Sequence, residues 1–136
     1  MNYFLTKTNP RIYRLRDALA YYRHHAPGWW SVVCKGAKEG DRLFIGQAGD
    51  EAGIYAIAII ASEPYFQVPD DTEFDVNPKD AEQERRGADV DDFQVLTKPI
   101  LEQTLNRTRE LKRVARWLHI QGGCCHLSEE EAEALD

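Results

Sequence analysis

The sequence predicts an α+β protein, built on a small mixed β-barrel or curved sheet with helices at its sides. Three observations support this class. Residues 39–64 hold two apolar strand-like runs, 42–45 and 54–61, joined by a turn that contains three glycines. Strand-like runs outnumber helical ones along the chain. The helical runs are too short for the crossover connections of a parallel α/β fold.

The composition is typical of a soluble domain, with 43% apolar and 29% charged residues. At 136 residues the chain is expected to form a single domain, 1–136, that buries about two-thirds of its unfolded surface. The apolar run at 54–61 is too short to span a bilayer, and no export signal begins the chain. The three cysteines are an odd number, so we expect reduced thiols and a cytoplasmic protein.

The net charge of −6 argues against a protein that binds nucleic acid through its phosphates alone. The charge is unevenly distributed, however. Residues 1–48 hold eight Lys and Arg against three Asp and Glu, whereas residues 49–92 hold three against thirteen. The acidic part is most simply a solvated loop, and the basic N-terminal third leaves room for a basic patch.

The first half of the chain alternates strands with one helix. Residues 2–6 are β-prone and end at the turn Asn9-Pro10. Apolar residues recur at helical spacing over 11–24, with arginines between them, and Pro27-Gly28 ends that helix. Residues 29–33 then predict a strand. The run at 54–61 is almost wholly apolar, which predicts a strand buried on both faces.

The second half begins with a long acidic loop, predicted at about 67–92, with a short helical turn at 80–86. A strand is predicted at 93–96, helical stretches over 99–105 and 107–116, and a further strand at 117–120. Residues 121–126 predict a turn and a brief strand. Ser128 and Glu131 have the spacing of a capping box, which predicts a last helix.

Several motifs contain reactive or ligand-binding residue types but lack the spacing that such chemistry requires. The glycines at 46–53 precede a strand and lack the Lys-Ser/Thr of a phosphate loop, so we interpret them as a hairpin. Cys124, Cys125 and His126 lack the second spaced pair that zinc sites use. No nucleophile has a base partner at recognisable spacing. We therefore predict no metal, no cofactor and no catalysis.

Trp29-Trp30-Ser31 is the motif that points to binding. Successive side chains of a strand face opposite sides, so the two indoles cannot fill the same core. We expect at least one of them to be core. The other could stack on a flat heterocycle, with the neighbouring hydroxyl as a hydrogen-bonding group.

These segments together resemble the EVE domain, a member of the PUA-like superfamily that is related to YTH domains. The resemblance covers nearly the whole chain, in order. Its motifs are Tyr3-Phe4-Leu5, Asn9-Pro10, Trp30, residues 40–45, Gly49, residues 53–58, Ser62-Glu63-Pro64, Pro99-Ile100-Leu101, Gln121-Gly122 and residues 127–131.

The resemblance implies a PUA-like fold and recognition of a modified nucleobase in DNA or RNA. YTH domains bind N6-methyladenine through an aromatic cage, and Trp30-Ser31 looks like the start of such a cage. A single-stranded or flipped base fits the acidic charge best. The implied base-contacting residues are Trp29, Trp30, Ser31, Asn9, Gln47, Tyr65 (or Phe66), Phe74, Gln121 and Gly122. The implied phosphate contacts are Arg11, Arg14, Arg16, Arg23 and Lys35.

The resemblance also implies that a separately encoded nuclease could be a partner. It has one departure: EVE domains usually continue Gln-Gly with Thr and then Asn or an apolar residue and Phe, where this chain has Gly123-Cys124-Cys125-His126. Two other functions stay open. The same pocket could sense a small molecule or free nucleotide, or the acidic loop could dock a basic protein.

Overall fold

A computed structural model describes residues 1–69, 73–77 and 83–136. The described strands are β1 (Tyr3–Thr8), β2 (Trp29–Ser31), β3 (Arg42–Gln47), β4 (Gly53–Ile60), β5 (Tyr65–Gln67), β6 (Arg85–Leu101) and β7 (Cys124–Leu127). The described helices are α1 (Leu15–Tyr22), α2 (Glu102–Arg107), α3 (Lys112–Trp117) and α4 (Glu129–Leu135), with a 3-10 helix at Arg109–Leu111. No helix in these ranges is both long and apolar enough to cross a membrane.

The strands form one curled sheet in the order β2-β6-β4-β3-β1-β7, and β5 pairs with β6 beside β2. β1 and β3 are parallel, whereas the other pairings are antiparallel. The sheet is therefore mixed, and with the helices it confirms the predicted α+β class.

Both faces of the central strands are buried. Phe4 and Leu43 point into one core with α1, whereas their neighbours Leu5 and Phe44 point into a second core with α2, α3 and α4. Alternate side chains of a strand face opposite sides, so this arrangement requires strands that are apolar throughout. Six of the eight residues of β4 are buried, which confirms the sequence prediction.

Two helix and strand boundaries differ from the predictions. The helix predicted at 11–24 begins only at Leu15, because Tyr13 forms a β-bridge with Asp75 and its amide donates to the Asn9 carbonyl. The strand predicted at 117–120 is wrong. Trp117 ends α3, and the following residues turn.

Three more boundaries differ by a few residues. β1 continues to Thr8, two residues beyond the prediction, and β2 ends at Ser31. The residues Pro99-Ile100-Leu101 finish β6, so the helical stretch predicted there begins only at Glu102.

The long acidic loop predicted at 67–92 is the largest error, because β6 already begins at Arg85. The helical turn predicted at 80–86 is wrong for residues 85 and 86, and residues 80–82 lie outside the described ranges. Arg86 is held in the sheet because its Nη1 donates to the carbonyls of Val32 and Cys34, at 3.0 and 3.1 Å. Ala88 fills the core opposite Trp30. Pairing and packing therefore override the charged composition of this strand.

The expectation of three reduced thiols is also wrong. Cys34 and Cys124 form a disulfide that joins the segment after β2 to the start of β7, with their Cα atoms 5.3 Å apart. Cys125 is free and buried. The sequence could not indicate this pairing, since 90 residues separate the two cysteines and only the sheet order brings them together.

Candidate functional site

A cleft of about 900 Å³ is lined by the end of β1, helix α1, strand β2 with the residues before it, strand β5, the start of β6, Asp75 and Gly123. Its volume is in the range of small-molecule sites. Six aromatic residues contribute to its lining, and we call it the aromatic cleft: Tyr13, Tyr21, Tyr22, Trp29, Trp30 and Tyr65.

Strand β2 turns its tryptophans to opposite sides, as strand geometry requires. Trp30 is paired with Ala88 and is 7% exposed, in the core that includes α1. Its ring meets Tyr13 and Tyr22 edge-on, with centroids 6.0 and 6.1 Å apart. One indole is thus core, as expected, and Trp30 also lines the aromatic cleft.

Trp29 lies on the other face of β2, together with Ser31. It is half-buried and also lines the aromatic cleft. Its ring covers Gly87: a Cβ at Gly87 would lie 2.2 Å from Trp29 Cζ2. The indole position therefore depends on a residue of β6 that has no side chain.

Polar groups line the same cleft. The Tyr65 hydroxyl donates to Asp89 Oδ1 at 2.6 Å, and Asp89 is the residue paired with Trp29 across β2 and β6. Arg85 Nη2 lies 2.9 Å from Asp75 Oδ2, and the Asp75 side chain is only 2% exposed. Asp75, Arg85 and Asp89 are not among the residues predicted from the sequence, because their place depends on strand register and on the fold of the segment 73–77.

Lys7 forms part of the wall between the aromatic cleft and α3. Its Nζ donates to the Trp117 carbonyl at 2.7 Å and to the Ile120 carbonyl, and lies 4.1 Å from the centre of the Trp117 ring. Burial lowers the pKa of Lys7 below its ordinary value. The ammonium thus binds the C-terminal end of α3, where carbonyls lack helical partners.

The residues predicted to contact the base edge are only partly brought together. Asn9 and Ser31 line the aromatic cleft. The Asn9 side chain also accepts from the Arg11 amide at 2.9 Å. Gln47 does not line it: this side chain is 2% exposed and donates to the Asp50 carbonyl at 2.9 Å, within the turn after β3.

The residues predicted to form the rim of the site are also only partly brought together. Tyr65 lines the aromatic cleft, whereas Phe66 points to the other face of β5 and is 65% exposed. Phe74 packs with the rings of Tyr13, Tyr21 and Tyr22 outside the lining. Gln121 and Gly122 do not line the cleft, although the next residue, Gly123, does.

Three of the five predicted phosphate contacts are used within the protein. Arg14 donates to the Glu73 carbonyl, Arg16 pairs with Glu51, and Arg23 Nη2 donates to the Leu96 carbonyl at 3.2 Å. Arg11 and Lys35 are exposed, and neither side chain has a partner within the described ranges.

The departure from the family pattern lies beside the aromatic cleft. Val33 and Gly123 both line it, and each precedes one cysteine of the disulfide. A Cβ at Gly123 would lie 2.8 Å from Val33 Cγ2, so the two segments are in close contact. Within the described ranges, no three His, Cys, Asp or Glu side chains are grouped as metal ligands.

A family model described as the EVE domain matches residues 2–135, which is nearly the whole chain. The chain belongs to the EVE-domain family. The resemblance inferred from the sequence is thus confirmed. No curated protein sequence matches this EVE domain.

Solved structures with the same fold include human THYN1 in complex with 5-methylcytosine-containing DNA. It has 18% identity and a TM-score of 0.66, over 99% of this chain and 95% of that one. Protein PSPTO5229 from Pseudomonas syringae has 17% identity and a TM-score of 0.64, over 98% and 96%. The ZmASCH mutant protein from Zymomonas mobilis has 12% identity and a TM-score of 0.61, over 99% and 96%. At these identities the likeness establishes the fold, and the PUA-like prediction is confirmed.

Proposed function

We propose that this EVE domain binds a modified nucleobase, methylated or hydroxymethylated, in DNA or RNA, and that it does so without catalysis. The main support is the complex of human THYN1, which shares the fold, with 5-methylcytosine-containing DNA. The aromatic cleft offers a place for such a base, because flat heterocycles stack on aromatic rings.

In this proposal the half-buried Trp29 is the stacking ring, and Trp30, which belongs to the core and is only 7% exposed, forms the buried wall beside it. A stacked base is worth about 1–3 kcal/mol by alanine substitution. Trp29→Ala should therefore weaken binding by that amount. Trp30→Ala would also leave a cavity among Tyr13, Tyr22 and Phe93, so stability would fall too. Substitution of a polar residue of the cleft tests binding with less effect on folding.

Asp89 and Tyr65 are the polar pair that we propose for recognition of the base edge. A carboxylate accepts hydrogen bonds from exocyclic amines, such as N4 of cytosine. The Tyr65 hydroxyl donates to Oδ1 at 2.6 Å, which orients the carboxylate, and Oδ2 has no hydrogen-bond partner among the described residues. Ser31 and Asn9 line the same cleft and would supply further contacts.

The experiment is a fluorescence titration with single-stranded oligonucleotides that carry one 5-methylcytosine, 5-hydroxymethylcytosine, N6-methyladenine or unmodified base. We expect a clear preference for one modified base. We expect Asp89→Asn, which can still accept from Tyr65, to reduce affinity for that oligonucleotide by about 1–3 kcal/mol. Phe66→Ala, on the exposed opposite face of β5, is the control and should bind as wild type.

The outcomes are distinct. Equal affinity for all oligonucleotides would overturn the proposed function. A clear preference that Asp89→Asn leaves intact would remove only the role of Asp89. The oligonucleotide recovered after incubation should have an unchanged mass, and a new mass would contradict the non-catalytic part of the proposal.

A second candidate function is a sensor of a free nucleoside or related small molecule. It is favoured by the carboxylate of Asp89 in the lining, which repels phosphates, whereas Asp75 is neutralised by Arg85. This candidate predicts that a modified nucleoside alone binds as tightly as the oligonucleotide, with little dependence on salt. Under the main proposal the oligonucleotide binds more tightly. A cytoplasmic location and a nuclease partner stay predictions from the sequence.

A further inference from the structure

The basic side chains of this protein differ in whether they already have partners within it. Arg14, Arg16 and Arg23, which the sequence assigned to phosphates, are engaged within the protein. A denser group of cations lies in residues 107–116, where five Arg and Lys accompany a single acid, Glu110. The sequence predicts helix in this segment and assigns it no ligand.

Four of these five cations are available to a ligand. Arg113 is held by Glu131, with its Nε 2.9 Å from Oε2. The other four are exposed, and none of their side chains forms a hydrogen bond or ion pair within the described ranges. We call them the α3 basic surface: Arg107, Arg109, Lys112 and Arg116.

Two members of the α3 basic surface meet at a cleft. Lys112 and Arg116 are one helical turn apart in α3, so their side chains share a face. Together with Asn106 and His119 they line a cleft of about 440 Å³. Glu102 also lines it, and its Oε1 is 2.6 Å from His119 Nε2. Cations and an amide side chain are typical contacts for phosphate oxygens.

The C-terminal end of α3 contacts a residue of the aromatic cleft, although α3 packs on the opposite face of the sheet from α1. Trp117 follows Arg116, and its carbonyl accepts from Lys7, which lines the aromatic cleft. At a rise of about 1.5 Å per residue, Lys112 is only about 7.5 Å along the helix axis from Trp117. A strand whose base occupies the aromatic cleft would reach α3 by passing the end of β1 at Lys7.

We propose that the α3 basic surface binds the phosphates that flank the recognised base in a nucleic-acid strand. This inference rests on the proposed function. It assigns the phosphate contacts to the α3 basic surface instead of Arg14, Arg16 and Arg23, because those three arginines are engaged within the protein and the four cations of the α3 basic surface have no partner within the described ranges. Charge complementarity selects the partner: four cations without acidic partners fit a polyanion.

The test compares Lys112→Gln/Arg116→Gln with the control Lys38→Gln/Lys98→Gln. The control removes the same charge at exposed lysines that line neither cleft. Affinity for the preferred modified oligonucleotide is measured at several salt concentrations. For a single strand, each lost phosphate contact makes the slope of log K against log salt less negative by about 0.7. The slope of the first variant should therefore be less negative than that of the wild type by about 1.4. The control should keep the wild-type slope.

Because phosphate contacts do not read sequence, the first variant should bind modified and unmodified oligonucleotides more weakly by the same factor. A slope equal to that of the control would overturn this inference while the preference for a modified base still supports the proposed function. Absence of oligonucleotide binding by the wild type would overturn both.

Discussion

At Gly87, the absence of a side chain decides where the Trp29 indole lies. A Cβ there would be 2.2 Å from Trp29 Cζ2 and 2.4 Å from the Trp30 carbonyl oxygen. The second of these atoms belongs to the backbone of the paired strand, so it cannot move aside without disturbing the pairing of β2 and β6. This glycine thus fixes one wall of the aromatic cleft.

We predict that Gly87→Ala destabilises the protein by about 1–3 kcal/mol, because overpacking forces neighbouring groups out of place. It should also change the tryptophan fluorescence of the folded state, since Trp29 must move. Urea unfolding followed by fluorescence measures both effects.

Gly28→Ala is the matched control, because a Cβ at Gly28 meets nothing within 4 Å. It lies one residue before Trp29 and also lines the aromatic cleft. Equal stability of the two variants would contradict the role given to Gly87.

Helix α4 begins with a capping box joined to an ion pair. Ser128 Oγ accepts from the Glu131 amide at 3.1 Å, and Glu131 Oε1 accepts from the Ser128 amide at 2.8 Å. Arg113 of α3 donates to both oxygens of the same carboxylate. Burial alone raises the pKa of Glu131, but the hydrogen bonds from Arg113 and Ser128 outweigh burial and hold this pKa below its ordinary value.

A lowered folded-state pKa adds stability above the unfolded-state pKa of about 4.3, and this stability is lost as pH falls through the folded value. Glu131→Gln keeps an acceptor for Ser128 but removes the charge. We predict that it lowers the free energy of unfolding by about 1 kcal/mol at pH 7, a modest figure because Arg113 is half exposed. The deficit should be smaller at pH 3 than at pH 7.

Urea unfolding at the two pH values measures this change. Glu133→Gln, in the same helix but exposed, is the control with the same change in net charge. A deficit at pH 3 as large as that at pH 7 would rule out the charged pair as its source.

The elements that are predicted well from the sequence are those whose burial leaves a recognisable pattern of apolar residues. Strands β3 and β4 are buried on both faces, so they stand out as continuous apolar runs between turn residues. The start of β6 gives no such signal. Arg86, Asp89 and Asp91 are polar, and what makes this segment a strand is pairing with β2, β5 and β4, which local sequence does not encode.

The residues of the candidate site were also predictable only where the signal lies in adjacent residues. Trp29 and Trp30 were found from adjacent residues, because a strand must separate their rings. Asp89 could not be found, since its neighbour across the sheet is 60 residues earlier in the chain. Gln47 has the chemistry of a base contact, but its amide is used to hold a turn. Arg16 likewise has the charge for a phosphate, but Glu51 pairs with it.

At the scale of the whole molecule, the aromatic cleft is assembled from elements that are far apart in sequence, from Thr6 of β1 to Gly123 before β7. The net charge of −6 is a sum over the whole chain and does not describe the distribution of charge around the cleft. Its lining holds Asp75 and Asp89 together with Lys7 and Arg85, whereas Lys112 and Arg116 of α3 have no acidic partner within the described ranges. This separation fits a strand whose base enters a cleft while its phosphates stay outside.

The central claim, that the base enters the aromatic cleft, is tested most directly by NMR of the three indole N–H signals during titration with a short 5-methylcytosine-containing oligonucleotide. The account predicts large, saturable shifts for Trp29 and Trp30, which line the cleft, and a much smaller shift for Trp117, which lies behind Lys7. Saturable binding that leaves the Trp29 and Trp30 signals unmoved would contradict the account and place the base elsewhere.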